Sequence, residues 1–486
     1  MEVNAIFRTI INLCARFGLI MAATMLIPAL IDLKAGSRDW LVFVQAAGLT
    51  AVLCWLTSLA THHPEIRFTP RLGFLLIVAL WLSAAVFGAL PFIFSPLPIS
   101  IIKAFFESMS GITATGATVL TGLDRMPRGI LLWRSMLCWF GGLGFIGLGL
   151  LLLPSLRVGG IQLLHMESSD KSEKILPRIH QIATGIVLAY VSLTLICTIL
   201  YFVAGMGMFD AINHGMTTVA TAGFSTHDSS LGFYAHNRAI LIIATVFMIL
   251  GALPFVLYIK AAMPQRRVSM SDPQVTLFFI IIIGFSAILA TGLMLETGIG
   301  LVDAIIAATF NLVSVITTTG FATEDYTLWG AEALGIFFLV TFIGSCSGST
   351  SGGIKINRLI ILWQMASASL TRLILPNAIV KMRYGKSEIT DEVAQSALLF
   401  IFLYMASLVA GATVLAMLGN DLGTAFTGAL TALSNVGPGF GETIGPAGNF
   451  STIGDPSLLV LSYLMLAGRL EIVTVVILFT RRFWTR

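Results

Sequence analysis

The chain reads as an all-α polytopic membrane protein. Two amino-terminal spans precede four repeats, each a spanning helix, a half-helix, a glycine loop and a second spanning helix. Three observations predict this. Hydrophobic residues fill 57% of the 486 positions and charged ones 11%, with a mean hydropathy of +0.93, which excludes an ordinary soluble protein. Apolar stretches long enough to cross about 30 Å of hydrocarbon follow one another along the chain. Four small-residue loops recur, each ending in glycine after an amphipathic segment and before a long apolar one. They read Thr113-Ala114-Thr115-Gly116, Ala220-Thr221-Ala222-Gly223, Thr317-Thr318-Thr319-Gly320 and Ser434-Asn435-Val436-Gly437. Their glycines stand about a hundred residues apart, the mark of a spaced internal repeat. Four similar loops can close a ring around one axis.

In order, the predicted spans are Ile10 to Ile31, Trp40 to Thr61, Leu72 to Ile102, Gly129 to Leu156, Ile179 to Phe209, Ala239 to Ile259, Pro273 to Leu295, Ala333 to Ile354, Ala394 to Asn420 and Pro456 to Thr480. They hold only Arg16, Arg134, Arg469 and Glu471 as charges. The first run is basic near its start, at Arg8 and Arg16, but lacks a small-residue cleavage pattern, so it reads as a retained span. Cys14, Cys54, Cys138, Cys197 and Cys346 are scattered through apolar segments without metal-ligand spacing and imply no disulfide framework.

Orientation follows from the basic residues. With the amino terminus inside, most of the 28 lysines and arginines fall on the cytoplasmic side, including Arg157, Lys171, Lys174, Lys381 and Lys386. The net charge of +4 therefore reflects topology and gives no support to nucleic-acid binding. Asp228, Glu324, Asp325, Asp421, Glu442 and Asp455 lie on outer segments, where they either concentrate cations at a mouth or are ordinary solvated residues.

The chain then divides into residues 1–70 with two spans, 71–156 as repeat one, 157–178 as a cytoplasmic loop and 179–262 as repeat two. Residues 263–372 form repeat three, 373–391 a second cytoplasmic loop and 392–486 repeat four. Half-helices are expected at Ser100 to Gly111, Phe209 to Val219, Gly300 to Ile316 and Gly423 to Leu433, too short to cross alone. Aligning the four glycines places Ala104, Ala211, Ala308 and Ala425 at one offset.

Non-helical backbone survives at membrane depth only when buried in protein or lining water, so the four loops point inward together. Glycine lets backbone carbonyls approach an ion, and threonine hydroxyls add oxygens or pin the loop. Half-helices entering from outside end at the loops with their carbonyl pole, which favours a cation. No loop carries a carboxylate, so a weakly hydrated monovalent ion fits better than a divalent one.

These loops, with Trp133-Arg134-Ser135, Trp139 to Gly144, Asn311 to Ala322, Gly344 to Lys355, Ser434 to Gly441 and Gly468 to Glu471, resemble the Trk/Ktr/HKT superfamily of potassium transporters over nearly the whole chain. The resemblance implies a pseudo-fourfold pore in which Gly116, Gly223, Gly320 and Gly437 ring a potassium ion. It also implies homodimers, a soluble ring of nucleotide-binding regulatory subunits, a bacterial plasma membrane and no organic cofactor. Two spans before repeat one suit the Trk type. The first and fourth loops depart most from the family pattern, and only the third reads TTTGF in full.

Residues 344–354 are rich in glycine and serine, a composition that interrupts a helix. With Gly344, Gly348, Gly352, Gly353 and Lys355, this intramembrane loop is expected to be a movable barrier below the ring, as the resemblance implies. A small-residue packing face has the same composition. Arg469 lies inside the last span, where arginine is costly and faces a cavity or a partner; carbonyls of the glycine-rich loop are better candidates than Glu471. A purely structural arginine is the alternative. Glu107 is expected to pair with Lys103, and His214, at the matching offset in repeat two, to pack or hydrogen-bond. The competing functional classes are an ion-coupled secondary symporter, which calls for inverted repeats, and an intramembrane enzyme built on Ser225 or Ser347 with His214.

Overall fold

The computed structural model describes residues 2–61, 70–152, 175–262, 272–385 and 387–485. Two long helices, α1 (Glu2–Lys34) and α2 (Trp40–Ala60), pack antiparallel along most of their length. Repeat one comprises α3 (Pro70–Phe94), the half-helix α4 (Ile101–Ile112) and α5 (Arg128–Leu152). Repeat two comprises α6 (Ile175–Val203), α7 (Met208–Val219) and a broken pair, α8 (Arg238–Ala252) and α9 (Phe255–Ala262). Repeat three comprises α10 (Pro273–Thr297), α11 (Leu301–Ile316), α12 (Ala331–Phe342) and α13 (Ile356–Ile374). In repeat four, α14 (Asp391–Met417), α15 (Leu422–Ser434) and α16 (Asp455–Arg469) lead to a short α17 (Val473–Val476).

Ten spans were expected, with the one in repeat three interrupted by its glycine-rich run; the second helix of repeats two and four is broken as well. Between α8 and α9 the chain bends by 91°, because Pro254 lacks an N–H and holds Leu253 in extended backbone. In repeat three, α12 stops at Phe342 and an irregular loop runs to α13. Between α16 and the following segment the bend is 110°, where Glu471 (φ 60°) and Ile472 (φ 48°) both sit in the left-handed region. A β-branched residue there is strained by about 1–3 kcal/mol. Among the described residues six helices are long and apolar enough to cross unbroken, and two bent pairs pass together.

The expected cytoplasmic loop at 157–178 lies mostly outside the described residues, as do Arg157 and Lys171 to Lys174, and from Ile175 the chain is helical. The loop at 373–391 carries a two-residue hairpin, Arg383–Tyr384 with Ser387–Glu388; Lys386 lies outside the described residues.

Three apolar clusters surround the half-helices. One joins repeats two and three, one joins repeats one and four, and one packs the two amino-terminal helices on repeat one. Ala104, Ala211, Ala308 and Ala425 are all fully buried. Within lipid there is little hydrophobic gain between helices, so close backbone approach carries the packing. Gly141, Gly251 and Gly468 each abut a carbonyl at the same point of a half-helix, that of Ile112, Val219 and Leu433 respectively. A methyl group at Gly141 or Gly468 would overlap that oxygen. Gly468→Ala is therefore expected to cost about 1–3 kcal/mol by overpacking, read as a lower midpoint in a detergent thermal melt.

Candidate ion-conduction site

Each half-helix ends in the same backbone motif. The second residue of each loop donates its N–H to the carbonyl three residues back: Ala114 to Gly111, Thr221 to Thr218, Thr318 to Val315 and Asn435 to Ala432. The third reaches five residues back, Thr115 to Ser110, Ala222 to Thr217, Thr319 to Ser314 and Val436 to Thr431. This pair of bonds is the Schellman cap, whose left-handed position is usually glycine. Here it is occupied by Ala114 (φ 52°), Thr221 (51°), Thr318 (56°) and Asn435 (57°). Strain is thus stored at the same place four times, at about 1 kcal/mol or more per residue. The glycines that close the loops also have positive φ: 84° at Gly116, 25° at Gly223, 83° at Gly320 and 106° at Gly437.

Those glycines touch in cyclic order. A methyl group on Gly116 would meet the Cα of Gly223 at 3.3 Å, and one on Gly223 would strike the Thr319 carbonyl. One on Gly320 would strike the Val436 carbonyl, and one on Gly437 would come within 2.6 Å of the Thr115 carbonyl. The circuit closes on itself. All four glycines line one narrow cleft of about 70 Å³ together with Arg134, His227 and Asp228. Four half-helix carboxyl ends and the loop carbonyls therefore converge on one axis, with no side-chain charge within the loops. That arrangement suits a dehydrated monovalent cation.

Hydroxyls brace the loops. Thr113 and Thr115 meet at 2.8 Å, Thr317 and Thr319 at 2.7 Å, Ser434 and Tyr404 at 2.6 Å. Loop four is tied to loop one by Asn435 Nδ2, which donates to Thr115 Oγ1 at 3.0 Å.

Below the ring lies the loop between α12 and α13. Its two ends are joined by a parallel bridge in which the Gly344 N–H donates to the Ile354 carbonyl and the Ile354 N–H to that of Phe342. It touches three of the four strained positions. Thr350 and Thr221 hydroxyls meet at 3.0 Å, Gly352 N–H donates to Thr318 Oγ1 at 2.7 Å, and a methyl on Gly352 would lie 2.9 Å from the Asn435 Cβ. Gly348 (φ 78°) accepts from Phe255 N–H at 2.9 Å, so the break in repeat two also serves this loop. Gly353 (φ 67°) packs on Gly344. Ser345, Ser349 and Ser351 hydroxyls cluster, and Lys355 Nζ donates to the Ser351 carbonyl.

Arg469 is fully enclosed beneath the ring. It donates to the Thr350 carbonyl at 2.8 Å and to Gly141 at 3.4 Å. Glu471 lies apart from it, accepting from Arg358 at 2.6 Å. The Arg358 guanidinium in turn covers the Phe400 ring at 3.7 Å.

Above the ring, the expected Lys103–Glu107 pair does not form. Lys103 Nζ donates to the Ser451 carbonyl, while Glu107 pairs with Arg134 at 2.8 Å. Both partners are buried, where a carboxylate gains most from a directed guanidinium. His214 accepts and donates locally, with Nδ1 on the Asp210 carbonyl and Nε2 on Ser225 Oγ. Sequence reasoning missed His227, whose ring stacks on Phe233 at 3.7 Å with Nδ1 at 2.5 Å from Asp124 and Nε2 at 3.6 Å from Asp210. It also missed Thr350 and Asn311; only Asn311 left a spacing signal, sharing its offset with Glu107 and His214.

A profile of the TrkH family, described as a cation transport protein, matches residues 42–485. The chain belongs to the TrkH family. It is 38% identical to the Trk system potassium uptake protein TrkI of Halomonas elongata over 98% of this chain and 96% of that protein. It is 35% identical to TrkH of Escherichia coli over 98% and 99%. The crystal structure of the potassium transporter TrkH from Vibrio parahaemolyticus superposes with a TM-score of 0.90 at 34% identity, covering 98% of this chain and 99% of that one. This TrkH-family chain is a multi-pass plasma-membrane transport protein and not an enzyme, so the His214–Ser225 contact is not a catalytic pair.

Burial alone would lower the His227 pKa, but the neighbouring Asp210 carboxylate and the hydrogen bond to Asp124 outweigh it and hold the imidazole above its ordinary value. The His227 hydrogen bond in turn pulls the Asp124 carboxyl down. A histidine raised on folding contributes stability that is complete below its ordinary value of 6.5 and lost as pH climbs through the raised one. His227→Gln should therefore lower the melting midpoint at pH 6 and converge with wild type at pH 9, checked by thermal melts across that range.

Proposed function

We propose that this chain carries potassium ions inward through the ring of Gly116, Gly223, Gly320 and Gly437. The single observation that carries the reading is the closed circuit of contacts among the four glycines. Carbonyls of Thr113 to Gly116, Ala220 to Gly223, Thr317 to Gly320 and Ser434 to Gly437 replace the ion's water. The relatives named as potassium uptake proteins support potassium as the ion. All four loops are presented by half-helices in one cyclic order, which favours a pore over an inverted-repeat symporter. The working units are the repeats at 71–156, 179–262, 263–372 and 392–486. Potassium is the cargo, and no organic cofactor is needed.

The loop at 344–354, with Lys355 and Arg469, acts as the gate. It fills the space under the ring, and Arg469 adds a positive charge that lowers cation occupancy there. Cytoplasmic nucleotide-binding regulatory subunits acting on a homodimer would withdraw it, with the bilayer as surrounding solvent.

Two measurements test this. In proteoliposomes, Gly320→Ser is expected to lower potassium-over-sodium discrimination about tenfold or more, because an added Cβ strikes the Val436 carbonyl; unaltered discrimination sinks the ring. Gly352→Ala drives the loop away from the Ser434 carbonyl, so basal rubidium flux should rise severalfold. Unchanged flux and regulation would remove the gate.

A further inference from the structure

The strand leaving each glycine is held from behind by polar side chains of its own half-helix, one position recurring in three repeats; Asp210 adds a bond to Thr226 at 2.8 Å in repeat two and Ser314 one to the Phe321 carbonyl at 2.6 Å in repeat three. In repeat one, Glu107 accepts from Val119 N–H at 2.9 Å and from the Thr118 hydroxyl at 2.9 Å. In repeat two, the Asp210 carbonyl can only accept, so His214 Nδ1 carries the proton and Nε2 accepts from the Ser225 hydroxyl at 3.0 Å. In repeat three, Asn311 forms a two-way clasp with Thr323, donating to Oγ1 at 2.8 Å and accepting from N–H at 3.3 Å. Glu107, His214 and Asn311 stand at one offset, and each meets the second or third residue beyond the glycine. Repeat four has Gly428 at that offset, and Thr427, one residue earlier, accepts from Phe440 N–H at 3.3 Å.

We propose that Glu107, His214, Asn311 and Thr427 are positioning residues that set ion selectivity by fixing the carbonyl ring from outside it. The inference rests on the reading of the ring as the selective site. All four side chains are buried, and their bonds end on the exit strands and not on the axis. A carbonyl cage that can shrink accommodates a smaller ion; one hung from rigid helices cannot follow it. The bracing is uneven. Glu107 is further clamped by Arg134, which also donates to the Ser225 carbonyl at 2.9 Å and so ties strands one and two together. Strand four is met by Thr427 through two long contacts, to the Phe440 N–H at 3.3 Å and to its carbonyl at 3.5 Å. Discrimination therefore draws most on repeats one and three.

The test is competitive potassium and sodium uptake into proteoliposomes, with thermal melts on the same preparations. Asn311→Leu, Thr323→Val and His214→Leu should each lower the potassium-to-sodium uptake ratio about two- to tenfold, the span that one ordinary hydrogen bond is worth. His214→Gln, which keeps an acceptor for Ser225, should retain the wild-type ratio. Where Asn311→Leu does not accumulate, Thr323→Val decides, because it keeps the shape and the backbone bond. A fall in total uptake with the ratio unchanged, while Gly320→Ser does change it, overturns the proposal and leaves the ring intact. No change with Gly320→Ser overturns both.

Discussion

Peptide groups outside a helix have no water to bond inside a bilayer, and an unmet one costs several kcal/mol. This constraint organises the molecule. Each of the four loops answers it alike, with a Schellman cap that returns two N–H groups to the half-helix. The cap forces a left-handed residue two positions before the glycine, and carbonyls of the loops crowd against the glycines of their neighbours. Carbonyls left without donors there are what an incoming cation can satisfy.

Close approach has its own requirement. Each closing glycine faces the backbone of the next loop, so the ring tolerates no Cβ at three or more of its four corners. The inner helices meet the same demand one layer further out, where Gly141, Gly251 and Gly468 lie against the carbonyl ends of half-helices. Small residues thus replace the hydrophobic drive that water would supply to a soluble fold.

Fourfold likeness ends below the ring. Among the described residues only repeat one keeps its second helix unbroken, and the three breaks supply what stands under the axis. The break in repeat two gives Phe255 N–H to the Gly348 carbonyl, that in repeat three supplies the loop itself, and that in repeat four follows directly on Arg469. A fourfold ring above and an asymmetric set of contacts below it follow from repeats whose second helices diverge.

Composition and apolar run lengths alone determined that the chain lives in a bilayer, because about 20 apolar residues per span leave no soluble alternative. Glycine spacing likewise determined four repeats and the half-helix before each loop. The breaks at Pro254 and Glu471–Ile472 were not legible, since a proline or a strained turn in an apolar run can also be absorbed by a continuous helix. The Lys103–Glu107 pairing failed because i,i+4 spacing describes one helix, whereas Arg134 reaches Glu107 from another. Sequence lists which groups could bond; only the tertiary structure brings residues such as Gly116 and Gly437, or Thr221 and Thr350, to within a few ångströms, and it is that proximity that decides which of them do.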